Sequence, residues 1–251
     1  MHQGNRPRDL QDISHLYLSK KNVKGEEAAG SVALILVASL DAGPLRAWLS
    51  SGLAVAFGSN NADVVLLDVG LSLPNAGYYF ALGPGRYLRS VLDAAAAVET
   101  EAGRGVRIIC SRDPDLKGYL DEKTAGELNV IIVAFEWQGK TSGNMLRGLS
   151  DSLPSEIPAF LLTVSDSCPG SAEYILGEFE DIFPGGPALA LYPGAENAQV
   201  AGIEPCPFPV EMLEGLSRRK PPASTFFTGL TGEILQRLGS RKKGAARDGI
   251  G

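Results

Sequence analysis

The chain reads as an α/β protein: one doubly wound, mostly parallel sheet with helices on both faces. Three observations lead there. Short runs of aliphatic and β-branched residues, apolar at every position, recur along the sequence, and such runs mark strands buried on both faces. Longer amphipathic stretches separate them, so that strand and helix signals alternate. The 251 residues, 44% hydrophobic and 21% charged, suffice for a single well-buried domain.

The first strand is expected at 31–39, SVALILVAS. A helix over 44–57, PLRAWLSSGLAVAF, follows, with Pro44 in its first turn, where a missing N–H is tolerated. ADVVLLDVG, 62–70, is the second buried strand. RYLRSVLDAAAAVETEA, 86–102, reads as a helix through its alanines and precedes the strand VRIICS, 106–111. ELNVIIVAF (127–135), IPAFLLTVS (157–165) and PALALYP (187–193) read as strands. Between them TSGNMLRGLSDSL (141–153) and SAEYILGEFEDIF (171–183) read as helices. PVEMLEGLSRR and STFFTGLTGEILQRLG close the fold as helices, and Phe227, Leu230, Ile234 and Leu238 form an apolar stripe suited to core packing. The expected organisation is an arm over 1–29, one domain over 30–239 and a disordered tail over 240–251.

Composition excludes several function classes. A net charge of −6 and a pI near 5.1 argue against nucleic acid as a partner. The basic clusters Arg218-Arg219-Lys220 and Arg241-Lys242-Lys243 read as solvated ends. Cys110, Cys168 and Cys206 form no close pair, which suits buried thiols in a reducing cytoplasm and argues against a metal site. His2 and His15 both precede the first strand, so a histidine-based metal centre or a Ser-His-Asp triad is not expected. The polar start MHQGNRPRDLQD does not read as a signal peptide, and the longest apolar run, VALILVA, is too short to span a membrane. In the arm, Leu10, Ile13, Leu16 and Tyr17 recur at helical spacing, although an extended strand fits the same stretch. Ile13 and Leu16 are expected to make a contact, within the chain or with a partner.

In a sheet of this kind the site lies beyond the carboxyl ends of the strands. The sharpest string there is VVLLDVGLSLPNAGYYFALG, 64–83. It resembles the MinD/ParA family of P-loop ATPases, in which the second strand ends in an aspartate and runs into D-x-D-L-G-x-P-N. Asp68, Leu71, Pro74 and Asn75 stand in matching places, and the family's second aspartate is here Gly70. The resemblance implies a P-loop NTPase-like fold and a phosphate-binding loop after the first strand, at SLDAGPLRAWL. Such a loop needs glycines for close backbone approach, a lysine on the β- and γ-phosphates and a Ser/Thr on Mg²⁺. The family adds a second lysine that acts across a dimer interface.

Neither lysine is present. Asp41 carries a negative charge near the early lysine position, and Gly43 stands alone. Pro44 removes an N–H donor, and an ungapped count from Asp68 places Arg46 opposite the catalytic lysine. Arginine's planar fork does not replace a compact ammonium, and an acid in the loop repels phosphate. A second string, VIIVAFEWQGKTSGN, places Gly139-Lys140-Thr141 after a strand, but Phe135, Glu136 and Trp137 fill the loop interior, and a surface turn is the better reading.

The expectation is therefore a cytoplasmic bacterial protein, MinD/ParA-like but without catalytic residues, cofactor or metal. It would work through protein contacts, with an active ATPase relative or with itself as a homodimer. Asp41, Gly43, Arg46 and Asp68 would be the remnant of the nucleotide site, and Leu71, Pro74, Asn75, Tyr78 and Tyr79 would lie at the interface. The alternative is an ATPase or switch that still binds ATP with Mg²⁺ through a divergent loop. Membrane contact through the last helix is not expected. Arg46 is expected to pair with Asp41 or Asp68 and close the site from within.

Overall fold

A computed structural model describes residues 32–40, 44–60, 62–69, 76–80, 96–99, 105–111, 129–154, 157–164, 172–193, 204–208 and 225–248. Eight strands form one sheet: β1 (Ala33–Ser39), β2 (Val64–Val69), β3 (Ala96–Glu99), β4 (Gly105–Ser111), β5 (Val130–Glu136), β6 (Ala159–Val164), β7 (Ala188–Pro193) and β8 (Glu204–Phe208). The helices are α1 (Pro44–Ser59), the single turn α2 (Ala76–Tyr79), α3 (Lys140–Ser152), α4 (Ala172–Ile182) and α5 (Thr225–Asp248). The strand order is β3-β4-β2-β5-β1-β6-β7-β8. Every pairing is parallel except that of β3 with β4. This is the expected doubly wound α/β sheet.

The aliphatic runs form strands because both their faces are covered. Alternate residues of β1 belong to two separate cores. Ala33, Ile35 and Val37 pack under α1 and α5 with Trp48, Leu53, Phe57, Phe227 and Ile234. Leu34, Leu36 and Ala38 face α3 and α4 with Met145, Leu146, Ile175 and Phe179. The chain moves one way from β1 through α1 to β2, and the other way from β5 through α3 to β6. With right-handed crossovers this reversal puts the helices on opposite faces and opens a crevice at the carboxyl ends of β1 and β5.

The α5 stripe packs as expected: Phe227, Leu230, Ile234 and Leu238 are all buried. Trp48 meets the edge of Phe227 at 5.3 Å between ring centroids. At Gly52 of α1 a Cβ would collide with that phenyl ring, so a glycine is what lets the two helices close on each other.

Three elements differ from expectation. Ala96–Glu99, inside the stretch read as a helix over 86–102, is an edge strand paired antiparallel to β4. The unfilled ladder of β4 outweighs alanine's helix propensity, and the short connection over 100–104 returns the chain as a hairpin. β8 was not expected; its Pro205 and Pro207 are tolerated at an edge position. The last helix runs over Thr225–Asp248, beyond the end read for it at Gly239. A packed helix has already met its nucleation cost, and Lys, Arg and Ala extend it readily. The arm over 1–29 and the helix read at 209–219 lie outside the described residues.

Candidate functional site

The side chains of β2 alternate, so Val64 and Leu66 enter the core beneath α1, and Asp68 points the same way. Its neighbours in the row are Ala134 of β5 and Cys110 of β4, both small. Their size leaves room above the sheet, and Arg46 in the first turn of α1 fills it. Arg46 Nη2 lies 3.5 Å from Asp68 Oδ1, with the two side chains 1% and 0% exposed. The second carboxylate oxygen, Oδ2, accepts the Ala76 N–H at 2.6 Å. The Tyr79 hydroxyl then donates to the Pro44 carbonyl at 3.4 Å, tying α2 back to the start of α1. One aspartate thus joins the helix that follows β1 to the turn that follows β2.

Burial, with a smaller contribution from the adjacent Tyr78, pushes the Tyr79 phenol up to about 12. Tyr78 meets Tyr79 edge-on at 5.3 Å and is 39% exposed, whereas Tyr79 is 1% exposed. Tyr79 props the α1 start from within, and Tyr78 is the one of the pair that reaches the surface. Asp41, Gly43, Leu71, Pro74, Asn75, Ile13 and Leu16 lie outside the described residues.

The rival Gly139-Lys140-Thr141 string sits at the end of β5. Ala134, in the place of its first glycine, is a fully buried strand residue opposite Val37 and Asp68. Only residues 137–139 therefore connect β5 to α3, too few to wrap a phosphate. The turn is closed on itself: Trp137 N–H donates to the Ser39 carbonyl at 2.7 Å. Gln138 N–H donates to Ser142 Oγ at 2.8 Å, and that hydroxyl donates to the Glu136 carbonyl at 3.1 Å. Gly139 has φ 56°, a left-handed conformation suited to glycine, and Lys140 is exposed. This is a surface turn.

Structural comparison places the architecture. A chain of the MinC:MinD cell division protein complex of Aquifex aeolicus superposes with a TM-score of 0.56 at 15% identity, covering 83% of this chain and 96% of that one. The fold is that of MinD. The MinD cell division protein of Aquifex aeolicus gives a TM-score of 0.53 at 14% identity, covering 83% and 97%. No family model and no curated protein sequence matches this chain.

The Arg46 guanidinium is turned into the sheet, where it meets Asp68. One oxygen of that aspartate is also held by the Ala76 N–H. Among the described residues, no cluster of His, Cys, Asp and Glu could hold a metal ion. No described helix is long and apolar enough to cross a membrane.

Sequence reasoning singled out Asp68 and Arg46 and offered Asp41 or Asp68 as the partner of Arg46; the pair is with Asp68. It missed the Ala76 N–H and the Tyr79–Pro44 bond, which involve main-chain atoms and carry no signal in residue identity.

Proposed function

We propose that this chain is a MinD-like protein without ATPase chemistry, which acts in the cytoplasm through protein contacts. One observation supports this most: Arg46, which the MinD/ParA resemblance sets opposite the catalytic lysine, is buried in a pair with Asp68. A guanidinium neutralised by a buried carboxylate has little charge left for a triphosphate, and phosphoryl transfer depends mainly on electrostatic stabilisation. Contact with a protein partner is in keeping with the MinD neighbour, which is seen in a complex with MinC. The partner would be an active ATPase relative or a second copy, meeting the carboxyl edge beside Tyr78.

The alternative is a nucleotide-binding switch with a divergent phosphate loop. It is favoured by one detail: Arg46 Nε and Nη1 make no hydrogen bond among the described residues, so the guanidinium keeps donors in reserve. Thermal unfolding with increasing ATP–Mg²⁺ separates the two. A binder gains about 2.7 kcal/mol at a hundredfold excess over Kd, whereas no shift and background phosphate release are expected here. A saturable rise, or turnover lost in Lys140→Ala with the fold intact, would overturn the proposal.

A further inference from the structure

The face of the sheet opposite Arg46 carries a second surface. Helix α4 buries Ala172, Ile175, Leu176 and Phe179. Its outer face holds Glu173, Tyr174, Gly177, Glu180 and Asp181, with Glu178 at the margin paired to Arg147 at 2.8 Å. Three features of this face weaken the isolated chain. Tyr174 is 77% exposed, the larger of the two exposures among the described large hydrophobic residues. Gly177 sits mid-helix, where glycine costs about 1 kcal/mol relative to alanine, yet a Cβ there would meet nothing within 4 Å. Packing inside the chain therefore gives no reason for it. Glu180 and Asp181 stand in the last turn without a basic residue, where the helix dipole disfavours carboxylates.

A basic helix lying across Gly177 would remedy all three. It would cover Tyr174, use the flat spot for close backbone approach and neutralise the acids. The chain contains such a helix. The end of α5 reads RKKGAARD, in which Gly244, Ala245 and Ala246 lie between Arg241, Lys242, Lys243 and Arg247. With four basic residues and one acid, residues 240–251 carry +3, which leaves −9 on the rest of a chain whose total is −6. The packed part of α5 lies on the α1 side of the sheet and α4 on the other side. The end of α5 therefore cannot reach α4 of its own chain as a continuous helix.

We infer that α4 is a docking face for the basic end of α5 from a second copy, giving a head-to-tail association. Such a contact is heterologous, so it closes into a ring or extends as a filament.

Sedimentation of the full chain over a concentration series tests this. Association that weakens with salt is expected, because exposed charges are screened. Glu173→Lys/Glu180→Lys/Asp181→Lys and Arg241→Glu/Lys242→Glu should each weaken it roughly tenfold or more by turning attraction into like-charge repulsion. Mixed, the two variants carry reversed charges on both sides and should associate with each other. A chain that stays monomeric at low salt overturns the inference. So does association untouched by the α5 variant, which would place the contact elsewhere, such as the edge beside Tyr78. Binding of the α5 end to anionic vesicles without any effect of the α4 variant would also overturn it, in favour of a lipid surface.

Discussion

Removing one charge of the Arg46–Asp68 pair should cost far more than removing both. In Asp68→Asn the amide oxygen can still accept the Ala76 N–H, so the change isolates the loss of the carboxylate charge. What remains is a guanidinium 1% exposed to solvent. Breaking a buried pair by removing one partner costs about 3–5 kcal/mol, because the other charge is left uncompensated. In a chain of this size each kcal/mol moves Tm by about 2–4 °C, so a fall of about 6–20 °C is expected. Arg46→Leu leaves the opposite charge stranded and should fall in the same range, lessened by the Ala76 N–H that still serves the carboxylate. The double variant Arg46→Leu/Asp68→Asn buries no charge and should recover most of the loss, giving a coupling of at least ~2 kcal/mol in a double-mutant cycle. Urea and thermal unfolding of the four proteins measure this directly. Either single variant within ~1 kcal/mol of the parent, or a double variant that loses the sum of the two, would refute the reading of a closed buried pair.

Other expectations follow from packing and titration. Gly52→Ala should destabilise by about 1–3 kcal/mol through overpacking against Phe227, and Phe227→Leu in the same background should relieve part of it, as read by urea unfolding. The Tyr79 phenol titrates near 12 in the folded chain and near 10 when unfolded. The folded state therefore holds the proton longer, and its contribution is complete below pH 10 and lost as pH rises through 12. Stability should fall by up to about 1.4 kcal/mol per pH unit over that window, and Tyr79→Phe should remove this part of the slope. Gly139→Ala should cost on the order of 1 kcal/mol, since φ is 56° there, with no change in the ATP–Mg²⁺ titration.

The strands β1, β2, β5 and β6 were legible because burial on both faces leaves an uninterrupted aliphatic run, which few other settings produce. β3 was not, because alanine and glutamate favour a helix unless a neighbouring ladder has an open edge, and that edge is a property of the sheet. β8 was hidden for a related reason: alternate prolines forbid a central strand and are silent about an edge. In the site, Asp68 stood out as a charge ending an apolar strand, and Arg46 as a nearby cation in need of a carboxylate, Asp41 or Asp68. The difference between Tyr78 and Tyr79 depended on which residue of a single helical turn faces inward, and adjacent identical residues carry no information about that.

The prolines of β8 also govern how the sheet behaves towards other strands. Successive residues of a strand direct their main-chain groups to opposite sides, and only Glu204, Cys206 and Phe208 have N–H groups to offer β7. Pro205 and Pro207 therefore take the outward-facing positions, where the rim presents carbonyls and no amide hydrogen. An incoming strand would find half of its ladder missing, and a rim of this kind resists the edge-to-edge growth that turns open sheets into aggregates. Among the described residues β8 is the last strand of the sheet, and its prolines make it a poor template for another.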